Sequence, residues 1–454
     1  MYSTINKKNG RSFARVLPAL MAITIFSGCN KLDDVWQHHP GKPGSPSSFG
    51  SEVIEKWMNL QLRLMKNTTG VPNQAFSRHY AYSGIAAWES VAPGVAGSQQ
   101  YTKKWNGLTG LPQASSNIKY YWPASVNASL AAINRSLFPN ASAGDKASID
   151  SLEQTLNENF LKTSPADRIK AAADFGKSVA TAVYSWSETD GYKNASRAYT
   201  PPVGDGKWKP TPPTNAAAST PYWGENRTVV IGSLTNAAAP APLAYSTDPG
   251  SPFYLMVKKV HDASQTLTQQ QKDMAIFWRD VPGVTSPGHW VSVLLQTLQS
   301  KKTSLAKAAL AYALSGAAVN DALIGCFQAK YTYNLVRPIT YIRDVIGDAG
   351  WNSYLNTPPH PEYPSAHSSL SAGAAVVLQS LFPEVHSIVD HTYDYMGFAP
   401  RSYNDFHSIA IEAGISRLYA GIHYQPSIDA GLVQGKKAAE NILKASLPSN
   451  FTIE

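Results

Sequence analysis

Apolar residues recur at helical spacing along most of the chain, and they predict a protein built from α-helices. In the first half, apolar positions return every three or four residues, which is the pattern of helices that bury one face. These stretches are residues 53–66, 75–91, 126–138, 147–161 and 165–189. The sequence has no series of alternating strands with hairpin turns and no short-period repeat. We therefore predict an all-α fold.

The helical pattern is interrupted once by a long stretch of different composition. Residues 191–252 are rich in Pro, Asn, Ala, Gly and Ser and include Trp208 and Trp223. Because so long an unpatterned stretch is unusual inside a compact domain, we expect an ordered crossover between two helical bundles, residues 50–190 and 253–454. A carbohydrate-binding platform of Trp and Pro is the alternative. Helical spacing resumes at 253–263, 268–278 and 302–334.

The first 28 residues are typical of a targeting segment. Four cations precede an apolar run from residue 16 to 26, which is too short to span a bilayer comfortably. The run ends in Phe26-Ser27-Gly28-Cys29, which resembles a bacterial lipobox with Cys29 as the lipidated residue; an ordinary signal peptide is the alternative. Residues 29–49 then read as a tether. No later stretch reads as a membrane helix, so we expect an exported bacterial lipoprotein, periplasmic or at the cell surface, held to the membrane only by its lipid.

Charge and cysteine content exclude two further classes of function. Removal of residues 1–28 takes away four cations and no acid, which lowers the formal net charge from +8 to +4. This excess is too small to indicate nucleic-acid binding. With Cys29 lipidated, Cys326 is the one free cysteine left, so an intrachain disulfide cannot form. Its apolar surroundings indicate a buried side chain rather than a redox group.

The stretch His360-Pro-Glu-Tyr-Pro-Ser-Ala-His367 has the composition of an anion site. Pro364 is a favourable first residue for the apolar helix that follows and ends before Pro383. The backbone N–H groups of residues 365–367 would then cluster at a helix N-terminus, where partial positive charge attracts an oxyanion. His367 adds a side chain that can transfer protons near neutral pH.

Three cations and a second histidine flank this stretch in the sequence. Lys330 and Arg337 are seven residues apart, so they would share one helical face if the helix continues as far as Pro338. Arg417 and His423 are six residues apart and out of phase on a helix. They would reach one ligand from different sides, or the helix would break near Gly421.

Together these segments resemble the three motifs of the vanadium haloperoxidases and type 2 phosphatidic acid phosphatases. The motifs are Lys330-(six residues)-Arg337-Pro338, Pro364-Ser365-Ala366-His367 and Ser416-Arg417-(five residues)-His423, and their order and gaps fit that superfamily. The family usually has Gly at Ala366, where only the backbone N–H is needed. It also tends to have Asp at Ser427, and we consider Asp429 as its substitute.

The resemblance implies an enzyme whose active site lies in the C-terminal bundle and whose cofactor is vanadate. In a haloperoxidase, His423 would bind vanadium, and the oxyanion would be held by Lys330, Arg337, Ser365, Ala366 and Arg417. His367 would manage the protons of hydrogen peroxide, and Lys330 would polarise the peroxide for attack by a halide or a small organic acceptor. Asp280 would hold an arginine or His367 in position without binding the oxyanion itself. The alternative is that Asp280 forms a surface ion pair.

The resemblance also implies a halide preference and leaves other functions open. His360 stands seven residues before His367, where chloroperoxidases have Phe and algal bromoperoxidases have His, so bromide or iodide is expected over chloride; packing in the proline-rich loop is the alternative for His360. As an acid phosphatase, the protein would instead use His423 as nucleophile and form a phosphohistidine. A non-enzymatic, glycan-binding surface lipoprotein is the third hypothesis.

Overall fold

The computed structural model describes residues 44–98, 104–280 and 285–447, and within them it confirms the all-α prediction. Five helices form the N-terminal half: α1 (Glu52–Asn67), α2 (Ala75–Glu89), α3 (Trp122–Leu137), α4 (Ala143–Phe160) and α5 (Ala166–Ser187). Each corresponds to one of the five apolar patterns, with ends that differ by a few residues. The predicted targeting segment, Cys29 and most of the tether lie outside the described residues.

The second half contributes eight more helices to the described part of the chain. They are α6 (Pro252–Gln265), α7 (Gln269–Phe277), α8 (Ser286–Lys301), α9 (Leu305–Tyr333), the single-turn α10 (Pro338–Tyr341), α11 (Ala366–Leu381), α12 (Phe406–Tyr419) and α13 (Gln425–Ser446). A small antiparallel hairpin, β1 (Ile388–Asp390) and β2 (Arg401–Tyr403), stands between α11 and α12. The sequence analysis did not identify these strands, because three residues are too few to show an alternating pattern.

Helix α9 is the centre of the molecule and packs against both halves. It crosses α2 at close range, because Gly84 faces the Tyr312 backbone and a Cβ at Gly316 would lie 2.8 Å from Ala81 Cα. It also packs against α11 and α13, so one hydrophobic core continues from α1 to α13.

By length and composition, Leu305–Tyr333 is the one helix among the described residues that could span a membrane, but its apolar window is fully buried inside the protein. The sequence analysis found no such stretch after residue 28, and this expectation is corrected. The apolar residues of α9 serve the protein core.

The segment between the halves contains only two three-residue helical turns among its described residues, Tyr192–Asn194 and Trp223–Glu225. The side chains of Trp208 and Trp223 are buried, so these two rings do not form an exposed carbohydrate platform. Buried Asp321 on α9 accepts hydrogen bonds from the N–H groups of Val229 and Val230, at 2.8 and 3.1 Å. The helical core thus fixes the path of this segment.

Candidate active site

Two buried cations hold the loop that precedes α11. Lys330 Nζ donates to the carbonyl oxygens of Pro361 and Glu362, at 2.9 and 3.0 Å. Arg337 Nε donates to the carbonyl oxygen of His360 at 2.9 Å. The expectation that both cations share one helical face was wrong, because the helix ends at Tyr333 and Asn334 takes a left-handed conformation with φ of 51°. They come together by binding the same loop.

The two ring nitrogens of His423 have different neighbours. Nδ1 lies 2.8 Å from Glu362 Oε1, and Nε2 lies 3.4 Å from Arg337 Nη1. A carboxylate accepts hydrogen bonds and an arginine donates them, so Nδ1 carries the hydrogen and Nε2 keeps its lone pair. Burial and the neighbouring Arg337 hold the pKa of His423 well below its usual value. The ring is therefore neutral, with an unprotonated nitrogen that can bind a metal or attack phosphorus.

Glu362 was not identified as a functional residue from the sequence. Besides the His423 hydrogen, its Oε1 accepts the Tyr424 N–H at 2.9 Å, and its Oε2 accepts the hydroxyl of Ser427. Ser427 stands where the family tends to have Asp, so the missing acid at that position was the available signal. In this chain the carboxylate comes from another segment, and Ser427 holds it in place.

Asp429 does not take the role proposed for it. Its side chain is exposed and accepts a hydrogen bond from Gln425 at 2.8 Å. Helical geometry explains this, because Asp429 is two residues beyond Ser427 and therefore points away from it on α13.

The N-terminus of α11 is built differently from the prediction at one residue. Ser365, not Pro364, precedes the first helical turn, and its Oγ caps the N–H of Ser368 at 3.4 Å. The N–H of Ser365 donates to the carbonyl oxygen of Ser427 at 3.0 Å and is not available to a ligand. The N–H groups of Ala366 and His367 remain, and they have no acceptor among the described residues. Ala is accommodated at 366 because its backbone is helical.

His367 is the second residue of α11, and its side chain faces the segment that follows α7. Its Nε2 donates to the carbonyl oxygen of Trp278 at 2.9 Å and lies 3.7 Å from Asp280 Oδ2. Burial lowers the pKa of His367 to about 4, against the opposing effect of Asp280, so the ring is neutral at neutral pH. Its Nδ1 can then accept a proton from a ligand. Asp280 also accepts from the backbone and hydroxyl of Ser286, at 3.0 and 3.2 Å.

Arg417 carries the largest share of uncommitted hydrogen-bond donors. Its Nε donates to Ser416 Oγ at 3.2 Å and its Nη2 to the carbonyl oxygen of Ala275 at 3.0 Å. A guanidinium has five N–H groups, so three of them find no acceptor among the described residues. Helix α12 ends at Tyr419, and Gly421 takes a φ of 76°, which confirms the predicted break and brings His423 around to the same ligand.

His360 is the third neutral histidine of the site. Its Nδ1 lies 2.9 Å from Arg337 Nη2 and 3.3 Å from the carbonyl oxygen of Pro361; the closer arginine can only donate, which places the ring hydrogen on Nε2. Burial, Lys330 and Arg337 together hold its pKa well below the usual value.

These groups surround a cavity of about 50 Å³, which is room for roughly four water molecules. Six of the predicted residues line it: Asp280, His360, Ala366, His367, Arg417 and His423. Lys330, Arg337 and Ser365 lie behind the lining, where they support the loop and the histidines. The volume suits a single tetrahedral oxyanion and no large organic molecule. We call it the oxyanion cavity.

The donor set fits vanadate or phosphate better than a metal cation. No cluster of three or more His, Cys, Asp or Glu side chains able to hold a metal ion occurs in the described residues. The oxyanion cavity instead offers arginine and backbone N–H donors and one histidine lone pair. Burial lowers the pKa of Arg417 and Arg337 to about 10 and that of Lys330 to about 7, so all three cations gain from a bound anion.

The chain is similar to one protein-family model and to solved structures of bacterial vanadium-dependent haloperoxidases. The family model described as the VCPO second helical-bundle domain matches residues 310–447. A bacterial vanadium-dependent iodoperoxidase structure is similar with a TM-score of 0.77 and 29% identity, over 87% of this chain and 96% of that one. Apo and holo structures of a bacterial vanadium-dependent chloroperoxidase give TM-scores of 0.62 and 0.63. For the apo form the identity is 16%, over 82% of this chain and 94% of that one. For the holo form it is 15%, over 84% and 95%. No curated protein sequence matches the chain.

Proposed function

We propose that the chain is a member of the superfamily of the vanadium haloperoxidases and type 2 phosphatidic acid phosphatases and, within it, a vanadium-dependent haloperoxidase. It would oxidise bromide or iodide, in preference to chloride, with hydrogen peroxide. The observation that carries the proposal is the unprotonated Nε2 of His423 beside Arg337, in a cavity the size of one oxyanion. The similarity to a bacterial iodoperoxidase over most of both chains supports the same conclusion.

Each residue of the site has a task that follows from its contacts. His423 Nε2 would hold vanadium, and the free N–H groups of Arg417, Ala366 and His367 would hold the oxygens. Vanadate, when bound, supplies the centre at which peroxide is activated toward a halide. Because Lys330 gives two of its three N–H groups to the loop carbonyls, it has one left for a ligand. His367 is the group placed to take a proton from incoming peroxide and return it to the departing oxygen.

The halide preference rests on His360. Its neutral ring lines the oxyanion cavity and presents an Nε2 hydrogen that a phenyl ring would not. The path by which a halide would reach the oxyanion cavity is therefore more polar than in proteins with Phe at this position. Chloride is the hardest of the three halides to oxidise, and we expect it to be a poor substrate.

The phosphatase hypothesis is supported by the same lone pair. His423 Nε2 can attack phosphorus to form a phosphohistidine, with His367 protonating the leaving alcohol. This requires a proton on His367 Nδ1, whereas burial lowers the pKa of this residue to about 4. In the haloperoxidase reaction His367 would first accept a proton, and this agrees better with a neutral His367 ring.

One set of assays separates the two functions. Vanadate-loaded protein is mixed with peroxide, a halogen-acceptor dye and each halide in turn, and phosphate-ester hydrolysis is measured on vanadate-free protein. We expect bromide and iodide oxidation with little chlorination, and we expect His423→Ala to abolish both vanadate binding in calorimetry and turnover. Efficient chlorination contradicts the halide preference. Phosphatase turnover without halide oxidation moves the protein to the second class, and unchanged vanadate affinity in His423→Ala removes this residue from the site.

We also propose that the protein is an exported lipoprotein, anchored through Cys29. The support is the sequence before residue 30 and the burial of the apolar window of α9 inside the core. Cys29→Ser should release the protein from the membrane fraction, because acyl chains are then its only strong anchor. A variant that stays firmly membrane-bound contradicts this localisation.

A further inference from the structure

A second cavity lies on the other side of the first turn of α8. Ser286 and Pro287 face the oxyanion cavity, whereas Thr285, Gly288 and His289 line the second one. Helix α1 and the segment after β1 complete its walls. Its volume is about 560 Å³, within the range of roughly 300–1,000 Å³ that is usual for small-molecule sites. We call it the side cavity.

The charged groups of the side cavity favour an anion. The cations Arg63 and Lys66 on α1 line it, and none of its lining residues is a carboxylate, although the lining His391 is bonded to Asp394 at 2.7 Å. Lys66 Nζ lies 3.6 Å from the ring centre of Tyr395 and has no carboxylate partner among the described residues. Arg63 is partly neutralised by Asp145 at 2.9 Å. Lys66 is therefore the principal cation that a ligand would meet.

The remaining walls favour an apolar body on the same ligand. Leu62 and Met65 come from α1, Leu295 from α8, and Tyr393 from the segment after β1. A ligand that places an anionic group near Lys66 would lay an apolar or aromatic body against these side chains.

His289 lines the side cavity. Its Nε2 donates to Asp390 Oδ2 at 2.5 Å, and its ring stacks on Trp278 with 4.2 Å between ring centres. Its Nδ1 is therefore an acceptor, and it is buried without a hydrogen-bond partner among the described residues. The imidazole reports the position of a ligand in the side cavity, whereas the preference for an anion comes from Lys66.

From these observations we infer that the side cavity binds a small organic anion with an apolar or aromatic body. This ligand site is separate from the oxyanion cavity, which is too small for such a molecule, and it does not depend on the reaction carried out there.

The mature protein can be titrated with 2-naphthoate, using the neutral 2-naphthylmethanol as the comparison ligand. We expect saturable one-to-one binding of 2-naphthoate, at least fivefold tighter than that of the alcohol, with and without saturating vanadate. Displacement by vanadate would place the probe in the oxyanion cavity and overturn the inference. No saturable binding, or equal affinity for the alcohol, would overturn it too.

A charge reversal on α1 then tests the location. Lys66→Glu should weaken 2-naphthoate binding by about fivefold or more, which is the scale of an exposed ion pair. Lys56→Glu is the matched control, because Lys56 is exposed on the same helix and does not line the side cavity. Equal loss in both variants, or none in either, contradicts the proposal.

The His289 imidazole gives a second readout that does not rely on a variant. In ¹⁵N-histidine spectra of the intact protein, the His289 Nδ1 resonance should shift on adding 2-naphthoate, and it should reach half of its full shift at a lower concentration of 2-naphthoate than of the alcohol. An unmoved resonance at saturation contradicts binding beside His289.

Discussion

At the scale of single residues, the reactivity of His423 depends on a carboxylate that is held by three donors. Glu362 accepts hydrogen bonds from His423, Tyr424 and Ser427. Burial raises the pKa of Glu362 to about 7, although Arg337, Ser427, Tyr424 and Lys330 act in the opposite direction. While the carboxylate is ionised, it keeps the hydrogen of His423 on Nδ1. Protonation of Glu362 would weaken this hold and make Nε2 less available.

Glu362→Gln should therefore weaken vanadate binding by roughly 10- to 100-fold, the usual effect of losing a group that orients a metal-binding histidine. The wild-type affinity should also fall as pH drops below about 7, and this dependence should be smaller in the variant. Vanadate titrations at several pH values between about 5.5 and about 8 measure both effects.

Asp429→Asn provides the matched control for Glu362→Gln. Its carboxylate is exposed and bonded to Gln425, so vanadate affinity should stay within about twofold of wild type. A large loss in Asp429→Asn with none in Glu362→Gln would restore the assignment made from the sequence.

The sequence identified the polar side chains His360, His367, Arg417 and His423 of the cavity lining but not Glu362 behind it, and the reason is physical. Motif spacing relates residues that share a helix or its first turn, such as Ala366 and His367. Glu362 lies 61 residues from His423 in the chain, and the loop that carries it is held in place by Lys330 and Arg337. Which carboxylate folds back onto a histidine is decided by that tertiary contact.

At the scale of elements, the crossing of α2 and α9 depends on glycines that allow the two backbones to approach. A Cβ on Gly84 would overlap the Tyr312 carbonyl, which is backbone and cannot move aside. Gly84→Ala should therefore lower the free energy of unfolding by about 1–3 kcal/mol, as overpacking of a core does. Denaturant titration of the variant and the wild type measures the change.

Gly144→Ala is the control for this experiment. Gly144 lies in the first turn of α4, where the nearest atom to a new Cβ is Ser142 Oγ at 3.9 Å. The free energy of unfolding should rise here by up to about 1 kcal/mol, because Ala loses less backbone entropy than Gly. Equal effects of the two substitutions would contradict the close approach at Gly84.

The elements themselves were predictable where an apolar face is long and regular. All five N-terminal helices were found in this way. The helix predicted over residues 302–334 agrees with α9 to within three residues at either end. It is flanked by two non-glycine residues with a left-handed backbone, Lys302 with φ of 50° and Asn334 with φ of 51°, and Asn is a residue type that tolerates this conformation. Termination by such residues is set by the packing around them.

At the scale of the whole molecule, one continuous core buries several histidines in the neutral form. The pKa of His79 falls to about 3 and that of His367 to about 4, and those of His360 and His423 are also lowered, in each case first by burial. The unfolded chain takes up these protons near the ordinary pKa of 6.5, and the folded chain does not. Acid therefore favours unfolding.

The opposite effect comes from two buried acids. Burial raises the pKa of Glu362 to about 7 and that of Asp321 to about 6, so the folded chain binds these two protons earlier than the unfolded chain. These four buried histidines outweigh the two acids among the described residues. The free energy of unfolding should fall as pH decreases from about 6.5 to about 4, by up to roughly 1.4 kcal/mol per pH unit for each net proton.

Vanadate-free protein, unfolded in denaturant at several pH values across this window, should show the decline directly. His79→Phe tests its origin, because the His79 ring packs against Phe76 and Phe138, at 5.7 and 4.6 Å, and a phenyl ring suits this pocket. The variant should lose stability less steeply with acid and should bind vanadate as the wild type does, since His79 lies outside the oxyanion cavity. Unchanged steepness in His79→Phe, or wild-type stability that rises toward pH 4, would contradict the view that buried neutral histidines set the acid limit of this fold.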